Sequence, residues 1–281
     1  MAETRIAKLE NYGLLQVAGD DARAFLHAQL TNDIEHLQPG QARIAGWCSA
    51  KGRLLATFLV VPCSGGFLLQ LSRDLVPAVL KRLSMFVLRS KVKISDATGQ
   101  WTQFGVWAPD AGEPLTARER DGTITVVIEA GRSLVLAGES ASAGFSPNAP
   151  AADWALAEVR AGRALIESST QDQFVPQMVN FELAGGVDFR KGCYPGQEIV
   201  ARAQYRGAVK RRMVRLRGAA LHAGQELYSD DLPGQPSGTV VNAAGDESLA
   251  VLQTATVEAK SPVRAQPGAA PLEILALPYG R

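Results

Sequence analysis

Cys193 is the residue of this chain best placed to do chemistry. It lies in Arg190-Lys191-Gly192-Cys193-Tyr194-Pro195-Gly196-Gln197-Glu198, between two basic residues and a helix expected over 197–204. Pro195 and Gly196 break the preceding chain, and Gly207 is available as a stop. A cysteine just ahead of a helix N-terminus feels unpaired backbone N–H groups and the positive end of the dipole. Arg190 and Lys191 add full positive charges, and both influences favour the thiolate. The plain structural alternative is a small cysteine buried in a tight turn. Glu198 suits the first helical turn through the macrodipole, and Gln197 can bond either a ligand or the turn itself.

Few other groups compete for a chemical role. Cys48, Cys63 and Cys193 are an odd number without CxxC spacing, which argues against a disulfide framework and a self-contained zinc or iron–sulfur site. His27, His36 and His222 are scattered, so no permanently bound metal is expected, and a Cys–His pair needs one of them to arrive by folding. The phosphate-cradling, dinucleotide and G-x-S-x-G patterns are absent. A redox, persulfide or transient metal role needs only an accessible thiolate.

Positive charge is concentrated in two places. Lys51 and Arg53 sit at the tip of an expected hairpin, as a solvated turn or as contacts for a phosphate or carboxylate. Arg202, Arg206, Lys210, Arg211, Arg212, Arg215 and Arg217 form a basic run with no acidic residue inside it. That run suits RNA, the acidic tail of a ligand or an acidic protein, or else is the solvated face of a strand. With Tyr205 as its sole aromatic, it lacks the interleaved rings of a single-strand binder.

The elements that must position these residues read as α+β. A strand over 13–17, a helix carrying Phe25, Leu26 and Leu30, and a hairpin over 46–61 turning at 50–53 come first. A strand at 67–71 leads to a helix with Leu75, Val79, Leu83 and Phe86/Val87 on one face, then strands at 92–94, 101–108, 123–128 and 134–136. Residues 138–152 read as a loop, and Asp153 as the cap of a helix ending before Gly162, with Trp154 in the core. Beyond residue 207, short strands at 226–228, 238–241, 249–254 and 272–277 suggest a small antiparallel barrel or sandwich, with Val214 and Leu216 alternating against Arg215 and Arg217. The expected domains are therefore 1–207 and 208–281.

Composition bounds the setting. Hydrophobic content of 46%, charged content of 20% and a net charge of +1 describe an ordinary globular protein with no global pull towards nucleic acid or membrane. The longest apolar run, 54–61, is far short of a span, and the first residues lack the apolar core of a signal peptide. A cytoplasmic location and no membrane partner are expected.

Lys191-Gly192-Cys193-Tyr194-Pro195-Gly196-Gln197-Glu198 resembles the K-G-C-Y-x-G-Q-E signature of the YgfZ family. Gln173-Phe174-Val175-Pro176-Gln177-Met178-Val179-Asn180 is similar to the segment preceding that signature, and Ala201-Arg202-Ala203 to its continuation. Phe25 to Asp33 resembles the family's F-L-x-x-Q-x-T-x-D segment, and Ala50-Lys51-Gly52-Arg53 its x-K-G-[RK] hairpin tip. The resemblance implies folate-binding proteins related to the glycine-cleavage T protein and implicated in iron–sulfur cluster assembly or repair. It implies two intertwined α/β lobes forming a folate-binding domain, plus a C-terminal antiparallel β-barrel, in a three-lobed ring. Tetrahydrofolate or a derivative is then the expected cofactor. Iron–sulfur client or assembly proteins are the expected partners; a tRNA-binding module using the basic run from Arg202 to Arg217, with weak tRNA binding, is a rival reading.

On this reading Cys193 is the reactive centre and Lys191 its supporting cation. The candidate folate contacts are Tyr194, Gly196, Gln197, Glu198, Arg202, Phe174, Gln177, Asn180, Lys51 and Arg53. Aminomethyl transfer is the weaker alternative. T proteins carry a catalytic Asp in their N-terminal half, and Leu71-Ser72-Arg73-Asp74 does not reproduce that segment.

Overall fold

A computed structural model describes residues 4–108, 112–207 and 209–279. The chain divides into two units made of alternating segments: unit 1 takes Met1–Trp47, Ala56–Trp154 and Arg190–Tyr194, and unit 2 takes Cys48–Leu55, Ala155–Phe189 and Pro195–Arg281. Ala208, at the expected domain boundary, lies outside the described residues.

Unit 1 begins with β1 (Arg5–Lys8), β2 (Tyr12–Ala18), α1 (Ala22–Gln29), β3 (Arg43–Cys48), β4 (Leu54–Cys63), β5 (Gly66–Ser72), α2 (Val76–Ser84) and β6 (Lys93–Asp96). Then come β7 (Trp101–Trp107), β8 (Ala117–Arg120), β9 (Thr123–Glu129), β10 (Arg132–Gly138), α3 (Glu139–Ser142) and α4 (Ala151–Arg160), which runs on into unit 2. The strands form two five-stranded sheets, β3-β4-β5-β2-β6 and β1-β7-β10-β9-β8. The tip of the β3–β4 hairpin, Cys48–Leu55, is counted with unit 2.

Sequence pattern accounts for the layout. β2 and β4 are buried along nearly their whole length, so they read as continuous apolar runs rather than alternating ones. Trp154 is buried, as expected of a core aromatic, and it excludes any side chain at position 105: a Cβ on Gly105 would lie 2.1 Å from the indole ring. Two local expectations are corrected. Helix α4 starts at Ala151, so Asp153 sits inside its first turn, where a carboxylate favours the macrodipole, and pairs with Arg5 instead of capping. Residues 138–152 are not wholly loop, since α3 and the start of α4 fall within them.

Unit 2 contains α5 (Gln197–Tyr205), β11 (Arg211–Arg217), β12 (Glu226–Ser229), β13 (Pro236–Ala244), β14 (Glu247–Gln253), α6 (Thr254–Glu258), β15 (Val263–Arg264) and β16 (Pro271–Leu275). Its strands close into a barrel, β11-β14-β13-β12-β15-β16, around Leu216, Leu227, Val240, Ala250, Leu252 and Val263. Closure removes the exposed edges that short strands would otherwise present. The α+β class with a C-terminal antiparallel barrel is thus the architecture observed. Among the described residues no helix is long and apolar enough to cross a membrane.

Candidate functional site

The signature segment passes from unit 1 to unit 2 after Tyr194. Within unit 1, Lys191 is buried, and its ammonium donates to the carbonyls of His27 and, at 2.8 Å, Leu30. Those carbonyls lie at the C-terminal end of α1, where helix geometry leaves acceptors unpaired and the dipole attracts a cation. Nζ also lies 5.0 Å from the centre of the Tyr194 ring, itself buried. Lys191 therefore acts as a clamp between the signature and α1.

Between those two anchored residues, Cys193 is exposed. That removes the buried-turn alternative. His27 is the histidine that the fold brings to this loop: a Cβ at Gly192 would lie 3.6 Å from its Nε2. The other ring nitrogen, Nδ1, is 3.2 Å from Asp33 Oδ1 and accepts the Glu35 N–H at 3.1 Å. Burial alone would raise the Asp33 carboxyl. Hydrogen bonds from His36, with the charge of His36, hold it below its ordinary value instead.

Within unit 2 the start of α5 is built on backbone contact. Gly196 adopts φ +79°, and a Cβ there would lie 2.4 Å from the Ser49 carbonyl oxygen and 2.7 Å from Gly52 Cα. Gly52, at φ +68°, faces Ile199 and the Gly196 carbonyl in the same way. The K-G-R tip and the P-G-Q-E turn thus meet glycine to glycine, and neither position admits a side chain. Lys51 and Arg53 flank this contact and are exposed.

Sequence reasoning missed two residues that brace the tip. Ser49 Oγ donates to Asp172 Oδ1 at 2.8 Å, and Arg53 donates to the Asp172 carbonyl at 3.2 Å. Asp172 holds φ +58°, a conformation that Asp tolerates better than most residues. Its place in a polar tract was the only signal in the chain. Beside it, burial and then the Asp172 charge push the Cys48 thiol up to about 12, which makes Cys48 an inert core cysteine.

Phe174, Gln177 and Asn180 are buried inside unit 2. Gln177 donates to the Val200 carbonyl and Asn180 to the Met213 carbonyl, both at 2.8 Å, tying this turn to α5 and β11. The solvated-face reading of the basic run holds for Arg202, Arg206, Lys210, Arg211 and Arg217, whereas Arg212 and Arg215 are half-buried and paired. Arg212 donates to the Gln177 carbonyl at 2.7 Å and pairs with Glu182 at 2.5 Å. Arg215 lies 3.7 Å from Glu247, and Arg217 pairs with Glu273 at 2.5 Å. Arg202 pairs with Glu198 one turn away at 3.0 Å, and both are exposed, as are Arg206, Lys210 and Arg211. Asp74, exposed ahead of α2, accepts a hydrogen bond from Ser72 at 2.7 Å. Among the described residues no three His, Cys, Asp or Glu side chains gather as a metal site.

Comparison with known proteins sets this geometry in a lineage. Residues 3–125 match the family described as the GCVT N-terminal domain. The tRNA-modifying protein YgfZ of Klebsiella pneumoniae (strain 342) is 32% identical over 302 residues, covering 96% of this chain and 91% of the relative. Its namesake in Enterobacter sp. (strain 638) is 30% identical over 98% of this chain and 93% of that protein. The glycine cleavage system aminomethyltransferase T of Bartonella henselae superposes over 99% of this chain and 86% of its own, with a TM-score of 0.78 at 17% identity, a likeness of fold. With identity of 30% or more running nearly end to end in both directions, on the fold of an aminomethyltransferase T, the chain belongs to the YgfZ family.

Proposed function

We propose that this protein is a cytoplasmic, tetrahydrofolate-binding accessory factor for iron–sulfur enzymes, including radical enzymes that modify tRNA, with Cys193 as its reactive centre. The observation that carries this reading is an exposed thiol on a loop whose neighbours are pinned: Lys191 into the end of α1 and Tyr194 into the core. A side chain kept in solvent between two buried anchors is presented, not packed. The name carried by the relatives, tRNA-modifying protein, supports the choice of client.

A folate carries carboxylates on a flexible tail. The exposed cations Lys51 and Arg53 fit that tail, with Arg202 as a further cation, while Gln197 and Glu198 line the adjoining turn. Phe174, Gln177 and Asn180 support this turn from inside. A bound folate would supply a carrier for one-carbon units. One thiolate cannot hold a cluster alone, so Cys193 acts transiently, with remaining ligands from a partner or a second copy.

The test is replacement of Cys193 by Ala or Ser. Support of cluster enzymes should be lost while folding and calorimetric folate affinity stay nearly intact. Full complementation by a well-expressed Cys193→Ala protein would sink the proposal. The likeness to an aminomethyltransferase T favours a second reading, folate-dependent one-carbon transfer, which predicts turnover of labelled methylene- or formyl-folates by the purified protein.

A further inference from the structure

Three large apolar side chains are exposed within four residues just after α2: Met85 at 69%, Phe86 at 42% and Leu88 at 88%. The segment is built, not frayed. The N–H groups of Phe86, Val87 and Ser90 donate to the carbonyls of Leu83, Ser84 and Val87 at 3.1, 3.2 and 2.8 Å. The Phe86 ring meets the buried Trp47 edge-on at 6.2 Å, which fixes the turn to the core of unit 1. Leu88 holds φ +45°, a left-handed conformation that leucine adopts at a free-energy cost. Strain and full exposure of one apolar residue gain unit 1 nothing in its own packing.

Charge indicates what covers this patch. Lys81, Arg82, Arg89, Lys91 and Lys93 flank it along the chain, all exposed, and residues 75–95 contain no Asp or Glu. A second copy of the chain would set these cations against their own kind. An RNA strand wants stacking faces, and the one aromatic here already packs its ring against Trp47. An anionic bilayer would press on the exposed Asp20, 3.3 Å from Lys91 Nζ, and on neighbouring Asp21. A folded partner with its own contour avoids those carboxylates. Met, Phe and Arg are also the residues that protein interfaces concentrate.

We infer that residues 82–91 form a docking surface for a partner protein presenting apolar side chains ringed by carboxylates. The patch shares no residue with the Cys193 loop.

The experiment replaces Leu88 in the full chain with p-benzoylphenylalanine, crosslinks in growing cells, and identifies both the adduct and the residue captured. The captured protein is then purified and titrated against wild type, Leu88→Asn and Arg89→Glu. The expected result is a partner with carboxylates beside the captured residue. Leu88→Asn should weaken binding roughly tenfold or more, the loss of one buried leucine. Its melting temperature should hold or rise, because Asn tolerates the left-handed conformation. Arg89→Glu should weaken binding too, and an acidic-to-lysine change in the partner should restore it. A lipid or RNA adduct, no adduct, a partner surface without carboxylates, or full affinity of Leu88→Asn each overturns the inference.

Discussion

Replacing Lys191 by Met removes a buried cation from two backbone carbonyls and from the face of Tyr194. Each charge-assisted hydrogen bond contributes about 1.5–3 kcal/mol, and a desolvated cation–π contact about 2 kcal/mol. Against this gross sum, the substitution relieves the cost of burying an ammonium and keeps most of the side-chain volume. Two carbonyls at the end of α1 are left without their donor, at about 1–3 kcal/mol each, so the net loss is about 2–6 kcal/mol. With a urea slope of about 2 kcal/mol per molar, the unfolding midpoint falls by about 1–3 M. Hydrogen exchange should localise the loss to the amides of α1, and Lys191→Arg should recover part of it. If stability instead stays within about 0.5 kcal/mol while alkylation of Cys193 slows, Lys191 serves the thiol as a charge. The clamp would then be refuted.

Gly196→Ala meets both a left-handed backbone and the Ser49 carbonyl, so it should cost about 2–4 kcal/mol and raise protease sensitivity of the K-G-R tip; a stable Gly196→Ala protein would contradict the glycine–glycine contact. Arg212→Gln leaves the Glu182 carboxylate, on a side chain only 6% exposed, without this partner and should destabilise by about 3–5 kcal/mol in a urea melt, with little relief from added salt. Cys48 favours the folded state while protonated. Its folded value is raised to about 12 from an ordinary 9.0, so that stability is present below about pH 9 and is lost as pH climbs towards 12. Chemical unfolding from pH 8 to 11 should show this alkaline slope flattened in Cys48→Ala. At pH 8 the folded protein should alkylate at Cys193 and spare Cys48 until denaturant is added.

Much of the frame is legible in the chain because it rests on local rules. Pro195-Gly196 announces α5, Ala50 to Arg53 announces the β3–β4 turn, and Gly162 ends α4 at a positive φ. Short strands such as β1, β8 and β15 escape because two to four residues carry too little periodicity. Part of the basic run misleads for a different reason. Arg212, Arg215 and Arg217 meet Glu182, Glu247 and Glu273 from distant parts of the chain, and no window of sequence contains both partners. The role of Lys191 is hidden in the same way, since His27 and Leu30 lie 164 and 161 residues earlier. A lysine beside a cysteine reads as an electrostatic neighbour, and its second task appears only when the fold brings its ammonium to the end of α1.

That separation has a consequence for how the protein is made. Helix α1 emerges from the ribosome early, but the side chain that closes its last turn follows some 160 residues later, within a five-residue segment that belongs to unit 1. Unit 1 therefore cannot be finished as it is synthesised; it waits for Arg190–Tyr194. The same five residues carry the thiol. Cys193 arrives together with the last stitch of the first unit, so a chain that stalls earlier exposes neither a closed α1 nor that thiol.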